Sequence, residues 1–425
     1  MRLKKLEIGF ILSLIFWGNN MFDAYKIRKD FPILDRLIEG KRNTYLDTAA
    51  SAQKPFVMLE EIRKAYLDEY ANVHRGSYWL SEKATENYEK ARQSAAHFIN
   101  AEKPEEIIFT RSATEGINLV AATFGAMTLK PGDEILLSRA EHHANLVTWQ
   151  QWAAKTGAKL GYFDLEEDGS FSWNKFTDSL NENTKIVAVT AMSNVLGTVF
   201  PVKQICTAAH NVGAKVLIDA CQFAVHKKID VKDFNCDFLA FSGHKVYGPT
   251  GIGILYGKYD LLADMPPYQY GGDMIEHVSY EKTSFTNPPA RFEAGTPAIV
   301  QAIGLGASLN YLMQFDFNEI EEYENNLTDY ATKQMSEISG LKILGAAKEK
   351  GGVFSFAIDG IHPQDLAFIL GKEGIAIRTG HFCAEPLVNY LGYTSLARAS
   401  LGIYTIKEDI DEFIKALYKA RDFFS

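Results

Sequence analysis

The sequence predicts an α/β fold built on a mostly parallel sheet. Short apolar runs alternate with amphipathic helical stretches between residues 107 and 241. Alternating strand and helix patterns are typical of a parallel sheet covered by helices. After about residue 312 the pattern changes to a long helical stretch followed by short strands, which predicts a smaller α+β domain. A chain of 425 residues is long enough for both domains.

The predicted elements can be placed in chain order. Strands of the large domain are expected at the apolar runs 107–109, 134–138, 158–163, 185–190, 215–219 and 238–241. Helices are expected at 81–98, 144–156, 202–212 and 317–338, with a charged helix from residue 407. Short strands are expected at 353–358 and 375–378. We therefore predict a large domain over residues 45–312 and a small domain that combines residues 21–44 with 313–425.

Composition and charge narrow the classes of partner. The chain has 44 Lys and Arg against 53 Asp and Glu, and it has no long basic run. This balance argues against nucleic acid or an anionic membrane as partner. The four cysteines include no C-x-x-C pair, which excludes a disulfide framework and a cysteine-rich zinc site. We predict no metal site and a reducing, cytoplasmic location.

Residues 1–20 form an apolar N-terminal extension that needs its own interpretation. Three basic residues lie within the first five positions, and residues 8–17 are almost wholly apolar, as in a secretory signal. The apolar run is short for a membrane span, and no small-x-small cleavage site follows it. We favour a mis-assigned start or a dispensable extension, with a membrane anchor or export as the alternatives.

A lysine and a carboxylate at two strand ends are the first candidate functional residues. Lys245 follows an apolar strand, where a lysine can be neutral and form a Schiff base with an aldehyde cofactor. Asp219 ends another apolar strand, and a buried carboxylate needs a cationic partner such as a protonated pyridine nitrogen. Together they suggest pyridoxal 5′-phosphate (PLP). The alternative for Lys245 is a surface lysine near a glycine turn.

Phosphate and ring contacts are expected nearby. A helix begins at about Thr114, directly after a strand, and the free N–H groups of a helix start bind anions. Ser242 and His244 could add side-chain donors. The adjacent His142 and His143 do not face one way on a helix, so they do not predict a metal pair. One imidazole could stack on a pyridine ring, and a capping or loop histidine is the alternative.

Seven motifs, in order along the chain, carry a resemblance to a known family. The sequence resembles the SufS-type (group II) cysteine desulfurases and selenocysteine lyases, in the class V aminotransferase group of fold-type I PLP enzymes. The resemblance covers residues 22–425 and implies a mostly parallel seven-stranded sheet in the large domain. The motifs are Val73-His74-Arg75-Gly76, Ala113-Thr114-Glu115-Gly116-Ile117-Asn118, Glu141-His142-His143-Ala144-Asn145, Ser193-Asn194-Val195-Leu196-Gly197, Ser242-Gly243-His244-Lys245, Arg291-Phe292-Glu293-Ala294-Gly295-Thr296-Pro297 and Arg378-Thr379-Gly380-His381-Phe382-Cys383-Ala384-Glu385-Pro386.

The resemblance implies roles around the PLP ring. Lys245 would hold PLP, Asp219 would pair with its ring nitrogen, and Gln222 would reach its phenolic oxygen. His142 would stack on the ring and take part in catalysis.

The resemblance also implies a phosphate site shared between two subunits. Thr114, Ser242 and His244 would bind the phosphate, and Thr296 would reach it from a second copy of the chain. A Thr296 contact of this kind requires a homodimer with the active site at the subunit interface.

Substrate contacts are implied in the same way. Cys383 would be the acceptor nucleophile, in a small-domain loop over the PLP. Arg398 would bind the carboxylate of L-cysteine, and Arg378 would lie close enough to assist. Asn194 would touch the cofactor or the substrate, and His74 the substrate end of the site.

One residue departs from the family pattern. Phe382 stands where the family often has a second histidine, and this difference bears on the packing of the loop and on activation of the thiol. The other cysteines, Cys206, Cys221 and Cys236, fall in or beside predicted core elements, where a buried inert thiol is expected.

The implied function is PLP-dependent conversion of L-cysteine to L-alanine, with the sulfur held on Cys383 as a persulfide for iron–sulfur cluster assembly. A selenocysteine lyase would use the same residues. Residues 347–350 lack the histidine of the branch that serves zinc-containing SufU-type acceptors, so we expect a SufE-like acceptor. An aminotransferase or kynureninase-like enzyme and a catalytically silent scaffold protein are the alternatives.

Overall fold

The structure, a computed structural model, describes residues 22–424. The predictions for residues 1–20 lie outside the described residues. Two sheets organise the described chain, and a cavity opens between them. Within residues 22–424, no helix combines the length and apolarity that a membrane crossing requires.

The larger sheet has seven strands, and their residues are mostly buried except in the edge strand Lys159–Phe163. Every strand runs parallel to the others except Gly253–Gly257, which is antiparallel to both of its neighbours. This arrangement confirms the predicted α/β class with a mostly parallel sheet. The order across the sheet is Ile107–Thr110, Gly253–Gly257, Phe238–Ser242, Lys215–Asp219, Thr184–Thr190, Glu134–Ser138 and Lys159–Phe163.

Helices accompany this sheet along the chain. The long helices Trp79–Phe98 and Ile299–Leu312 approach closely, because a Cβ at Gly306 would lie only 2.8 Å from Cα of Ala91. Only glycine permits that approach. The remaining helices of this region are Phe56–Leu67, Ala113–Val120, Ala126–Thr128, His143–Thr156, Trp173–Ser179, Val202–Asn211, Phe223–His226, Val231–Phe234 and Tyr259–Asp264.

The smaller sheet is antiparallel and has four strands. Its order is Leu341–Leu344, Val353–Ile358, Leu396–Ser400 and Arg378–Gly380. The expected strand at 375–378 is two short strands, because Ile375–Ala376 pairs in parallel with Thr44–Tyr45 instead of joining this sheet. The helices of this region are Phe317–Ser336, Pro363–Lys372, Glu385–Tyr390 and Lys407–Phe424.

Two hydrophobic clusters fill the described chain, a large one on the seven-stranded sheet and a small one on the four-stranded sheet. Phe31, near the N-terminus, packs in the large cluster. Arg28 instead forms an ion pair of 2.8 Å with Asp409 in the C-terminal helix. The N-terminal segment therefore contacts both regions, and the domain boundaries stay a prediction.

Candidate active site

A cavity of about 540 Å³ lies at the carboxyl ends of the central parallel strands. Ligands of open α/β sheets bind at this edge. Eleven of the predicted site residues line the cavity: Thr114, His142, Asn194, Asp219, Gln222, Ser242, His244, Lys245, Arg378, Cys383 and Arg398. Residues from both sheets therefore share one site.

Lys245 and Asp219 reach the cavity from adjacent parallel strands. Asp219 ends the strand Lys215–Asp219, and Lys245 lies in the turn directly after Phe238–Ser242. The Asp219 carboxylate is buried and accepts the backbone N–H of Cys221 at 3.0 Å. No Lys, Arg or His of residues 22–424 forms an ion pair with it. A buried carboxylate in this state fits a cationic ring nitrogen.

His142 caps the helix His143–Thr156 at one side of the cavity. Its Nδ1 accepts the backbone N–H of Ala144 at 3.1 Å. Burial and the charge of Lys245 lower the pKa of His142 to about 4, so the imidazole is neutral at physiological pH. A neutral ring facing the cavity suits stacking on an aromatic cofactor.

Another group of cavity residues suits an anion. The helix Ala113–Val120 begins there, and the backbone N–H of Ala113 donates to Oγ of Ser242 at 2.9 Å. Burial lowers the pKa of His244 to about 4, and its Nδ1 lies 3.3 Å from Oγ of Ser51. A helix start with neutral side-chain donors fits a phosphate. Together with Asp219 and Lys245, these residues fit PLP.

Gln222 also lines the cavity, and its amide is already engaged. Its Nε2 donates to the backbone carbonyl of Ala49 at 2.8 Å. This bond orients the side chain toward the segment that follows the strand Thr44–Tyr45. The contact with the phenolic oxygen stays a prediction.

Cys383 is the exposed thiol of the cavity. It lies in the loop between the strand Arg378–Gly380 and the helix Glu385–Tyr390. Phe382 and Cys383 have φ of 54° and 55°, in the left-handed region that non-glycine residues rarely adopt. The loop must be held by its surroundings to keep this conformation.

Asn194 and His143 hold this loop. Nδ2 of Asn194 donates to the carbonyl of Phe382 at 2.7 Å, and the backbone N–H of His143 donates to the carbonyl of Cys383 at 2.7 Å. The backbone N–H of Glu385 donates to Nε2 of His143 at 3.0 Å. The sequence reasoning did not predict these loop contacts of His143, although it singled out the pair of adjacent histidines.

Asp47 links the two arginines of the cavity, and the sequence reasoning missed it. Nε and Nη2 of Arg378 donate to its carboxylate at 2.8–3.2 Å. Nη2 of Arg398 lies 3.6 Å from the same carboxylate, and Nη1 donates to the carbonyl of Asn194 at 2.9 Å. Burial lowers the pKa of Arg398 to about 10, so it remains charged. In the sequence, Asp47 could have been noticed as the one acidic residue among the small and apolar residues 46–50.

Two predicted site residues lie outside this cavity. Thr296 lines a separate cavity of about 420 Å³ that also contains Arg111. His74 lines another of about 210 Å³, and its Nε2 lies 3.2 Å from Oε1 of Glu89. Within one chain, the structure does not bring either residue to Lys245.

The other three cysteines are buried, as expected. Burial raises the pKa of Cys206 and of Cys221 to about 12, and it raises that of Cys236 as well. Cys221 nevertheless lines the cavity, and its Sγ lies 3.9 Å from Oγ of Ser242. The site thus contains two thiols in very different surroundings.

One known protein family matches most of this chain. The model of the aminotransferase class-V family matches residues 44–413. The chain belongs to this family. A probable cysteine desulfurase of Halalkalibacterium halodurans is 46% identical over 402 residues, which are 95% of this chain and 99% of the relative. A probable cysteine desulfurase of Staphylococcus aureus is 46% identical over 409 residues, 96% of this class-V chain and 99% of the relative.

Solved structures of cysteine desulfurases are also similar to this chain. The cysteine desulfurase CsdA (S-sulfonic acid) from Escherichia coli superposes with a TM-score of 0.89 at 37% identity, covering 96% of this chain and 100% of that chain. The apo cysteine desulfurase of Thermococcus onnurineus NA1 has a TM-score of 0.88 at 37% identity, with 93% and 97% covered. The predicted fold class, family, PLP cofactor and cysteine desulfurase function are confirmed.

Proposed function

We propose that this cavity converts L-cysteine into L-alanine and leaves the sulfur on Cys383 as a persulfide. The supporting observation is an exposed thiol, Cys383, in the same cavity as Lys245 and Asp219. PLP, when bound, supplies an electron sink for charge that develops at the substrate Cα. Lys245 would hold PLP, Asp219 would keep its ring nitrogen protonated, and the neutral His142 would cover its face.

The chain's own groups then act on the substrate. Arg398 and Arg378 bind its carboxylate and orient its thiol toward Cys383. Lys245 moves the proton at Cα through its amine. The Cys383 thiolate forms a bond to the substrate sulfur as the C–S bond breaks, and the electron pair of that bond stays with the carbon fragment. This fragment takes up a proton and leaves as alanine.

One assay tests this function against its alternatives. Purified protein is incubated with L-cysteine and a reductant, and alanine and sulfide are measured together. Equal amounts of both support the proposal. Amino-group transfer without sulfide would favour an aminotransferase. Neither product would favour a kynureninase-like enzyme, which acts on a different substrate, or a scaffold protein.

We further propose an obligate two-fold dimer. Thr296 and His74 lie outside the cavity of their own chain, so a second copy is needed if they serve an active site. Large apolar side chains are also exposed on two helices that are consecutive in the chain, including Phe56, Leu67 and Trp79. A monomeric mass in light scattering at micromolar concentration, with activity retained, would refute the dimer.

For the sulfur acceptor, we propose a SufE-like protein that passes sulfur to iron–sulfur scaffold proteins. Residues 347–350 contain no histidine to exchange a zinc ligand, and Cys383 is open to an incoming thiol. Stimulation of turnover by a SufE-like protein is the expected result. Strong stimulation by a zinc-bound SufU-type acceptor, with none by the SufE-like protein, would contradict this choice.

Release of selenium from selenocysteine would need no further residues.

A further inference from the structure

The ring of Phe382 lies against the guanidinium group of Arg398. Cζ of Arg398 is 4.8 Å from the ring centroid. Phe382 is 7% exposed and Arg398 is 2% exposed, so water screens this contact little. A cation over an aromatic face is attracted most strongly when both groups are desolvated. The proposed mechanism assigns no role to Phe382.

Phe382, Asn194 and Arg398 form a closed set of contacts. Nδ2 of Asn194 donates to the carbonyl of Phe382 at 2.7 Å, and Nη1 of Arg398 donates to the carbonyl of Asn194 at 2.9 Å. The ring of Phe382 completes the set by touching the arginine. Since Phe382 directly precedes Cys383, this set joins the carboxylate-binding arginine to the loop of the nucleophile.

Few other groups restrain Arg398. Its buried Nε has no hydrogen-bond partner among residues 22–424, and its Nη2 is 3.6 Å from Asp47, which is long for a hydrogen bond. The carbonyl of Asn194 accepts its hydrogen bond at 2.9 Å, and the face of Phe382 and the Asp47 carboxylate are its further contacts. The left-handed conformation at φ 54° and the fixed carbonyl set the direction in which the Phe382 side chain leaves the backbone.

We propose that Phe382 is a positioning residue that holds the Arg398 guanidinium, and with it the substrate carboxylate, in register with the Cys383 thiol. The inference rests on the proposed function in one respect, namely that Arg398 binds the carboxylate. Loss of the aromatic face would loosen the arginine while the backbone bond from Asn194 still holds the loop.

Steady-state kinetics of the holoenzyme provide the first test. Phe382→Leu keeps an apolar side chain without an aromatic face, and Phe382→Tyr keeps the face. We expect Phe382→Leu to raise KM for L-cysteine about tenfold with kcat within about twofold, the order that a desolvated cation–π contact implies. Phe382→Tyr should restore the parent KM. The control Phe368→Leu removes an exposed ring near Lys372 that does not line the cavity, and it should change neither constant.

Two kinetic outcomes would overturn the proposal. One is an unchanged KM in Phe382→Leu. The other is an equal loss of kcat in the Leu and Tyr variants with KM unaltered, which would indicate a packing role for the loop alone.

Alkylation of Cys383 provides a second readout that requires no turnover. Iodoacetate carries a carboxylate and iodoacetamide does not, and the other three cysteines are buried. In the parent, the rate ratio of iodoacetate to iodoacetamide reports how the arginines recruit a carboxylate beside the thiol. We expect this ratio to fall severalfold in Phe382→Leu and to recover in Phe382→Tyr.

The alkylation readout separates the two hypotheses. An unchanged ratio in Phe382→Leu would refute the positioning role even if the parent makes alanine. A parent that makes no alanine, but whose ratio falls in Phe382→Leu, would refute the proposed function and leave the contact between Phe382 and the carboxylate site standing.

Discussion

The two thiols of the cavity lie on walls of opposite character. Cys221 follows a buried strand of the large sheet, beside Asp219, where burial raises its pKa to about 12. Cys383 lies exposed in a loop that continues from the small sheet, with φ of 55°. A thiol must ionise to act as a nucleophile. Proximity to the cofactor site is therefore insufficient, and we propose that the exposed Cys383 of the loop is the reactive thiol.

The walls also differ in how they are held together. The wall with Lys245 and Asp219 derives its geometry from paired parallel strands. The wall with Cys383 depends on a side-chain hydrogen bond from Asn194, on one backbone and one side-chain hydrogen bond of His143, and on the ion pair between Asp47 and Arg378. Substitutions should accordingly abolish chemistry on the first wall and alter transfer or binding on the second.

The largest effect is expected on the sheet wall. Lys245→Ala should lose all detectable alanine formation and the yellow colour of bound cofactor, because Lys245 is the one lysine among the described residues that line the cavity. Visible absorbance and alanine analysis measure both. Lys232→Ala, at an exposed helical position, is the control and should keep both properties.

Cys383→Ser sharpens the comparison of the two thiols. The variant should remain yellow and bind L-cysteine, because Lys245 and Arg398 are intact, yet lose nearly all alanine formation for want of a thiolate. Cys221→Ala should keep most activity. Substantial turnover of free selenocysteine is expected in Cys383→Ser, since the C–Se bond is weaker. Parent-like turnover of L-cysteine by Cys383→Ser would contradict the assignment of Cys383, rather than Cys221, as the nucleophile.

Asp47→Asn should have a smaller effect. Loss of the carboxylate frees Arg378, whose side chain is 49% exposed, and leaves two guanidinium groups without their shared counter-charge. We expect KM for L-cysteine to rise about three- to tenfold, with kcat little changed. Initial rates over a range of substrate concentrations measure this, with the exposed Asp35→Asn as control. A lower kcat at constant KM would contradict the assignment.

The smallest effect concerns the junction of the two regions, where Lys350 forms an isolated bridge with Thr198. Burial lowers the pKa of Lys350 from 10.5 to about 8. Between these values the unfolded chain binds the proton more tightly, so stability should rise as pH increases from 8 to 10.5.

Lys350→Met should lack this contribution, and its Tm should fall by a few degrees relative to the parent over that pH range. Differential scanning fluorimetry of both proteins measures the difference. Lys348→Met, at an exposed position, serves as control. Parallel Tm profiles for the parent and Lys350→Met would show that folding does not lower the pKa of Lys350.

Sequence patterns predicted most of the sheet wall. Apolar runs located six of the seven strands, and Asp219 and Lys245 followed from their places at strand ends. The strand Gly253–Gly257 was missed because it follows a glycine-rich turn and is bounded by glycines, which are depleted in strands. The pairing of Ile375–Ala376 with Thr44–Tyr45 was missed because a contact so distant in sequence leaves no local pattern.

The loop wall was less accessible to sequence reasoning. Motif resemblance identified Cys383, Arg378 and Arg398, but not the partners that hold them. Asp47 and His143 act through tertiary contacts between segments hundreds of residues apart. The contact of Phe382 with Arg398 involves a left-handed backbone conformation at Phe382. A phenylalanine in the sequence does not predict that conformation.

Mapping the sulfur after a single turnover tests the central claim most directly. The holoenzyme receives one equivalent of L-cysteine without reductant, is digested, and its peptides are analysed by mass spectrometry. The account predicts one additional sulfur atom on the Cys383 peptide and an equal amount of free alanine. Additional sulfur on the Cys221 peptide, or alanine formed with no sulfur bound to protein, would contradict it.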